Sequence, residues 1–288
     1  MSETATIPSD QARTAFMADV VSGRIQLPTI SKVVQQLIIG LRKQDISFHE
    51  IGRLVEQDPV LSARVLRLAN SPFYCGRRNL ASIQDAASVI GTNALQTLVL
   101  ACGVSAAFVS VSGVNLGQFW QDAVTTASTA RLLAQRIGID PDSAYSAGLL
   151  SGTGHLILCQ AFPTKAQAAF TRYTNLRGAK LAEQEVITFG LSHPEVGAIW
   201  ADRLSFPTDT VDAIARHLDL PSSSMSALSR LTALARQLAE AVAERTPLEK
   251  VIPHLPAVHL EALTLSEHLQ SPGFANQFEA LSRINTLS

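Results

Sequence analysis

A chain of 288 residues that is 47% hydrophobic and only 16% charged can bury a sizeable core, which excludes long disorder. Its formal net charge of -1 offers no global field to recruit nucleic acid or an anionic membrane, so no nucleic-acid footprint is expected. No apolar run reaches the roughly 18 residues of a membrane span, and residues 1–10 lack the basic start and apolar stretch of a secretory signal.

Hydrophobic spacing predicts helices almost throughout. Residues 9–22 place Ala12, Ala15, Phe16, Val20 and Val21 at helical intervals and stop at Gly23. Pro28 opens a second helix, with Ile30, Val33, Val34, Leu37, Ile38 and Leu41 on one face. Ser47-Phe48-His49-Glu50 has the form of a capping box. Asp58-Pro59 supplies the N-cap and first residue of a helix that ends at Asn70-Ser71-Pro72. Another starts at Ser82, breaks near Gly91-Thr92-Asn93, and continues from Leu95 to Phe108 as a nearly all-apolar helix that must be buried. A connection rich in Ser, Val and Gly follows at 109–117, then a long amphipathic helix from Phe119 to Ile137. Asp140-Pro141 caps a helix predicted to run to about Ala161. Further helices are predicted at 163–175 and 181–189, from Ser192-His193-Pro194-Glu195, from Pro207 to His217, and at 224–244. The remaining C-terminus is weaker and broken by Pro253, Pro256 and Pro272. No stretch alternates with period two, so the fold class is all-α, and no internal repeat is present.

The stretch from Ala147 to Leu158 is small and apolar. Gly148 and Gly152 lie four apart, which stacks them on one helix face and lets a neighbouring helix approach closely. The three cysteines, Cys75, Cys102 and Cys159, are widely spaced and contain no C-x-x-C pair, so a disulfide framework or zinc ribbon is not expected. A soluble protein of the reducing cytoplasm is the expectation.

Two blocks carry a resemblance. The first holds Leu27-Pro28-Thr29-Ile30, the Asp58-Pro59 helix start and its Arg67-Leu68-Ala69-Asn70-Ser71 end. The second holds Phe119-Trp120, Gly148-Leu149-Leu150, Glu185 to Gly190, His193 with Glu195, Val196 and Gly197, and Ile214 with His217. Together, and in this order, they resemble the HDOD (HD-related output domain) family of bacterial signalling proteins, degenerate relatives of the HD-domain metal-dependent phosphohydrolases. The resemblance implies a leading helix at 1–23, an HDOD domain at 24–220 and a C-terminal helical extension at 221–288. Within the domain, an N-terminal helical half (24–112) packs on an HD-like half (113–220).

The same resemblance identifies a vestigial HD site. Asp122 stands where the first metal-binding His is usual, Ser151 and Gly152 replace the central His-Asp pair, and His193 and His217 match retained histidines. Leu218 stands where a second adjacent His is common, and Arg236 falls near the place of the late Asp. Ser is a weak neutral ligand and Gly none, so no metal, cofactor or catalytic residue is expected. His193 and His217 read as structural residues satisfied by hydrogen bonds, and His155 lies outside the ligand pattern. Cys102 and Cys159 read as small core residues without a neighbouring His to activate them. Gly152-Thr153-Gly154 follows no strand, which favours helix packing over a phosphate nest.

Arg67, Asn70, Ser71, Arg77 and Arg78 cluster around one loop and are candidates for contact with a partner or an anionic effector. The competing reading makes Asn70 a helix cap, Ser71-Pro72 a turn and the arginines a solvated face. The function implied is a non-catalytic bacterial regulatory module that binds a signalling protein or a small effector. The alternative is a divergent metal-dependent phosphohydrolase or phosphodiesterase using Asp122, His193 and His217.

Overall fold

A computed structural model describes residues 10–43, 48–70, 80–170 and 176–284. Ser71, Cys75, Arg77 and Arg78 lie outside the described residues, as does the Ser47 capping position. Among the described residues the chain is helical with no strand.

The N-terminal half comprises α1 (Asp10–Val21), α2 (Lys32–Lys43), α3 (Phe48–Glu56), α4 (Pro59–Ala69), α5 (Ile83–Ile90) and α6 (Thr92–Ala106). The nearly all-apolar α6 lies at its centre, touching α2, α3, α4 and α5. Local chemistry sets the starts. Asp58 accepts a hydrogen bond from the Leu61 N–H at 3.0 Å, with Pro59 at the first helical position. Ser82 and Asp85 form a reciprocal capping box at the head of α5.

The second half comprises α7 (Leu116–Ile137), α8 (Pro141–Leu150), α9 (Thr153–Ala161), α10 (Pro163–Phe170), α11 (Gly178–Phe189), α12 (His193–Arg203) and α13 (Thr208–Arg216). After Pro221 come α14 (Ala227–Ala243), α15 (Leu248–Val251), a 3-10 turn at Ile252–His254, α16 (Ala257–Ala262), α17 (Ser266–Leu269) and α18 (Pro272–Ile284). This segment docks back on the rest: α14 packs on α7, α8 and α13. Its Leu231, Leu234, Leu238 and Phe274 share a core with Leu133, Ala144 and Ala213. A larger core runs through both halves, from Phe16 and Ile51 to Leu149, Trp200 and Ile214.

Two predicted boundaries are corrected. The second helix starts at Lys32, not Pro28. The Trp200 indole N–H donates to the Pro28 carbonyl at 2.8 Å, taking the acceptor that a helix begun at Pro28 would spend on Lys32. That bond also ties the two halves together, beside Phe108, whose ring lies 6.0 Å from Trp120 and 5.7 Å from Trp200.

The helix expected from Asp140 to Ala161 is two helices, broken at Ser151-Gly152. The Ser151 hydroxyl donates to the Gly148 carbonyl at 2.9 Å and the Thr153 hydroxyl to the Leu150 carbonyl at 2.7 Å, so side chains take carbonyls at the end of α8. Gly148 and Gly152 therefore do not share one helix face. Gly148 meets α7, where an added Cβ would lie 2.8 Å from the Ala127 Cα. The tighter crossing belongs to Gly154, whose Cβ would fall 2.0 Å from the His193 carbonyl oxygen and 2.6 Å from the Gly197 nitrogen. Only a residue without a side chain lets α9 pass over the start of α12 at that distance.

Candidate functional site

Glu185 lies on the apolar stripe of α11, four residues from both Leu181 and Phe189, and is fully buried. Its carboxylate holds three groups. Oε2 accepts from the His193 backbone N–H at 2.6 Å and pairs with His193 Nδ1 at 2.7 Å. Oε1 pairs with His155 Nδ1, also at 2.7 Å. The anion sits at the N-terminus of α12, where the helix dipole favours it. Burial alone would raise its pKa, but its interactions with His193 and His155 win, holding it at about 2.

The histidines divide by environment. Burial works against a charged His155, yet its contacts with Cys159 and Glu185 outweigh that and lift its pKa to about 10. His193 is pushed below its ordinary value, by burial first, with Arg236 and His155 adding to the depression against the pull of Glu185. His217 is pushed well below, by burial and then by His193 and Arg236. At neutral pH the cluster holds one imidazolium, at His155, and two neutral rings.

The neutral rings are tautomerically fixed. His193 Nδ1 faces the Glu185 carboxylate and His217 Nδ1 faces the Ile214 carbonyl at 2.8 Å, so both carry the proton on Nδ1. Their Nε2 atoms are bare acceptors, buried and without a hydrogen-bond partner, on rings whose centroids are 5.5 Å apart. The expectation that both histidines are satisfied by hydrogen bonds therefore holds for one nitrogen of each ring only.

A cleft of about 150 Å³ opens beside this cluster, lined among others by Phe119, Asp122, Gly152, His155, Arg177, Arg236 and Glu240. Asp122 is ion-paired with Arg177 and accepts from Gln118 at 2.8 Å. Arg236 and Glu240 form an ion pair at 3.4 Å whose geometry does not make a hydrogen bond. Each charge that lines the cleft thus has an opposite charge from the protein beside it.

Of the residues anticipated from sequence, His193 and His217 come together, and Gly152 and Asp122 line the cleft. Ser151 is buried with its hydroxyl spent on α8. Asn70, at the end of α4, uses its carboxamide on the backbone of Leu80, accepting from N–H at 2.6 Å and donating to C=O at 2.9 Å. Arg67 is exposed on the same helix.

Sequence reasoning missed His155 and Glu185. His155 is not outside the site: it bridges Glu185 and the cleft, packed edge-on against Phe170 at 4.9 Å between centroids. The statement that no cysteine has a neighbouring His is also corrected. His155 and Cys159 are one helical turn apart, and Cys159 Sγ lies 3.7 Å from His155 Nε2. The available signals were this i,i+4 spacing and a carboxylate on an otherwise apolar helix face.

The resemblance stated from sequence implies a cation site of the HD type here, and the residues present do not fit one. Among the described residues no three His, Cys, Asp or Glu side chains cluster as ligands. The two bare Nε2 atoms would suit an ion, but Asp122 does not join them and is paired with Arg177. No helix among the described residues is long and apolar enough to cross a membrane.

A family model described as the HDOD domain matches residues 27–220, and the chain belongs to that family. Among solved structures, an HDOD domain protein of unknown function from Geobacter sulfurreducens superposes with a TM-score of 0.77 at 25% identity, covering 97% of this chain and 99% of that one. A Shewanella amazonensis SB2B protein provisionally assigned as a phosphohydrolase gives a TM-score of 0.72 at 27% identity, covering 93% and 97%. An uncharacterised protein from Treponema pallidum is 26% identical over 215 residues, which make up 73% of this chain and 41% of that relative's length. This chain therefore spans about two fifths of that relative.

Proposed function

We propose that the chain is a non-catalytic regulatory module of bacterial signal transduction, which reads a small polar effector or a signalling protein through its degenerate HD-like half. The observation that carries this reading is the charge arrangement of the cleft. Asp122 with Arg177, Arg236 with Glu240 and His155 with Glu185 are matched within the protein, and among the described residues no three His, Cys, Asp or Glu side chains cluster as metal ligands. A cleft of about 150 Å³ with paired charges of both signs suits a small ligand that exchanges these pairs for its own hydrogen bonds. Cys159 has no exposed surface, so the Cys159–His155–Glu185 arrangement does not present a nucleophile to a substrate.

The test is thermal stabilisation of the full chain by nucleotides, sugar phosphates and dicarboxylates, alongside affinity capture from the native lysate. A ligand at one hundred times its Kd adds about 2.7 kcal/mol, a shift of several degrees, and Arg177→Ala should abolish it. No stabilising compound, no reproducible partner, and metal-dependent phosphoester hydrolysis lost in His193→Ala would overturn the proposal in favour of the divergent phosphohydrolase.

A further inference from the structure

The connection between α13 and α14 carries consecutive serines, Ser222, Ser223 and Ser224, just after residue 220, where the family match ends. Arg216, the last residue of α13, gathers them. Its Nη1 donates to the Ser224 carbonyl at 2.9 Å, and its Nη2 donates to the Ser224 hydroxyl at 3.0 Å and the Ser222 hydroxyl at 3.4 Å. The two hydroxyls lie 3.1 Å apart. Asp219 accepts from Arg216 Nε at 3.0 Å, so the guanidinium spends that nitrogen on a carboxylate and turns both terminal nitrogens to the serines. Such a fork pairs far more strongly with phosphate oxygens than with neutral hydroxyls.

Ser224 is the member of the group open to modification. It is exposed, whereas Ser222 is half-buried and its carbonyl is held by the buried Arg230. Ser224 also precedes Ser226, the N-cap of α14, by two residues, and the first turn of α14 has no acidic side chain to meet the helix dipole. The like charges nearby are already engaged: Asp219 by Arg216 Nε, and Asp212 by the Ser229 hydroxyl at 2.7 Å.

We infer that Ser224 is a phosphorylation site and that Arg216 is the cation that holds the phosphate. The co-reactant is a nucleoside triphosphate delivered by a serine kinase. A bond forms from Ser224 Oγ to the γ-phosphorus, the bond from that phosphorus to the bridging oxygen breaks, the nucleoside diphosphate leaves, and the hydroxyl proton passes to a base of the kinase. The product puts about two negative charges between Arg216 and the start of α14. It pins α14 to the end of α13, and α14 is the helix that brings Arg236 and Glu240 to the cleft. This holds whatever the cleft binds.

Mass spectrometry of the chain isolated from its native cells with phosphatases inhibited reads the modification directly. Phosphate on Ser224 is expected in growing or stationary cells, and its absence from both overturns the assignment. The role of Arg216 is tested on the full chain with phosphoserine installed at 224 during translation. Its melting temperature should rise by about 2 °C or more over the unmodified chain. The gain should vanish in Arg216→Ala and in a chain with phosphoserine at the exposed Ser223, which takes no part in these bonds. A fall in melting temperature, or a gain that survives Arg216→Ala, refutes the pairing. Should Arg216→Ala fail to fold, 31P titration keeps the question open to test: the second ionisation of phosphoserine at 224 should lie below that at 223, and equal values overturn the inference.

Discussion

At neutral pH Glu185 carries a negative charge at a position with no exposed surface, and the pH dependence of folding follows from the histidines around it. His155 has a folded pKa of about 10 against an ordinary 6.5, so its contribution is complete below 6.5 and is lost as pH rises towards 10. His193 and His217 behave oppositely. Their folded values are depressed, so the unfolded chain binds more protons below 6.5 and stability falls on acidification. Glu185, lowered from 4.5 to about 2, adds a further loss below 4.5. Melting temperature followed by circular dichroism should therefore peak near pH 6.5 and decline on both sides. Glu185→Gln should cost about 3–5 kcal/mol, as breaking a buried ion pair does. It should also make the alkaline decline shallower, because of the two partners that raise the His155 pKa, Cys159 and Glu185, the second is lost. An alkaline limb unchanged in this variant would show that another group is responsible.

The α9–α12 crossing makes a sharp prediction for a single helix contact. Gly154→Ala places a Cβ 2.0 Å from a backbone oxygen that cannot move without shifting α12, and should destabilise by about 3 kcal/mol. Gly52→Ala, in α3, meets only the flexible Gln84 side chain at 3.4 Å and should be neutral or stabilise by up to about 1 kcal/mol. Chemical denaturation of the two variants compares them directly. At this scale much was legible in the sequence. Asp58-Pro59, Ser82 with Asp85, and Ser192 with Glu195 mark helix starts by local hydrogen bonding, which needs no tertiary partner. The break at Ser151-Gly152 was hidden because Ser, Thr and Gly inside an apolar run are compatible with a continuous helix. Hydroxyl bonds to the α8 carbonyls decide otherwise. Pro28 misled for the opposite reason: it is a good first helical residue whose carbonyl is claimed by Trp200, 172 positions away. The cluster on Glu185 was out of reach for the same long-range reason, since α9, α11 and α12 meet only in the folded chain.

Across the whole molecule, the family match ends at residue 220 but the core does not. Leu133, Ala134, Ala144 and Ala213 are covered by α14 and the helices that follow it, and Arg236 enters the cleft from α14. A chain ending at residue 220 should therefore expose this apolar face, bind a hydrophobic dye and lose its cooperative melt. A cooperative melt matching that of the full chain would show that the earlier helices hold together without the later ones. The position of Phe108, touching both Trp120 and Trp200, has a practical consequence. These are the two tryptophans of the chain, and both sit where its halves meet. Intrinsic fluorescence is thus a label-free gauge of how the halves are seated. Parting them wets both indoles and reddens the emission, so any effector or partner that works by prising the halves apart would announce itself in the colour of the protein's own light.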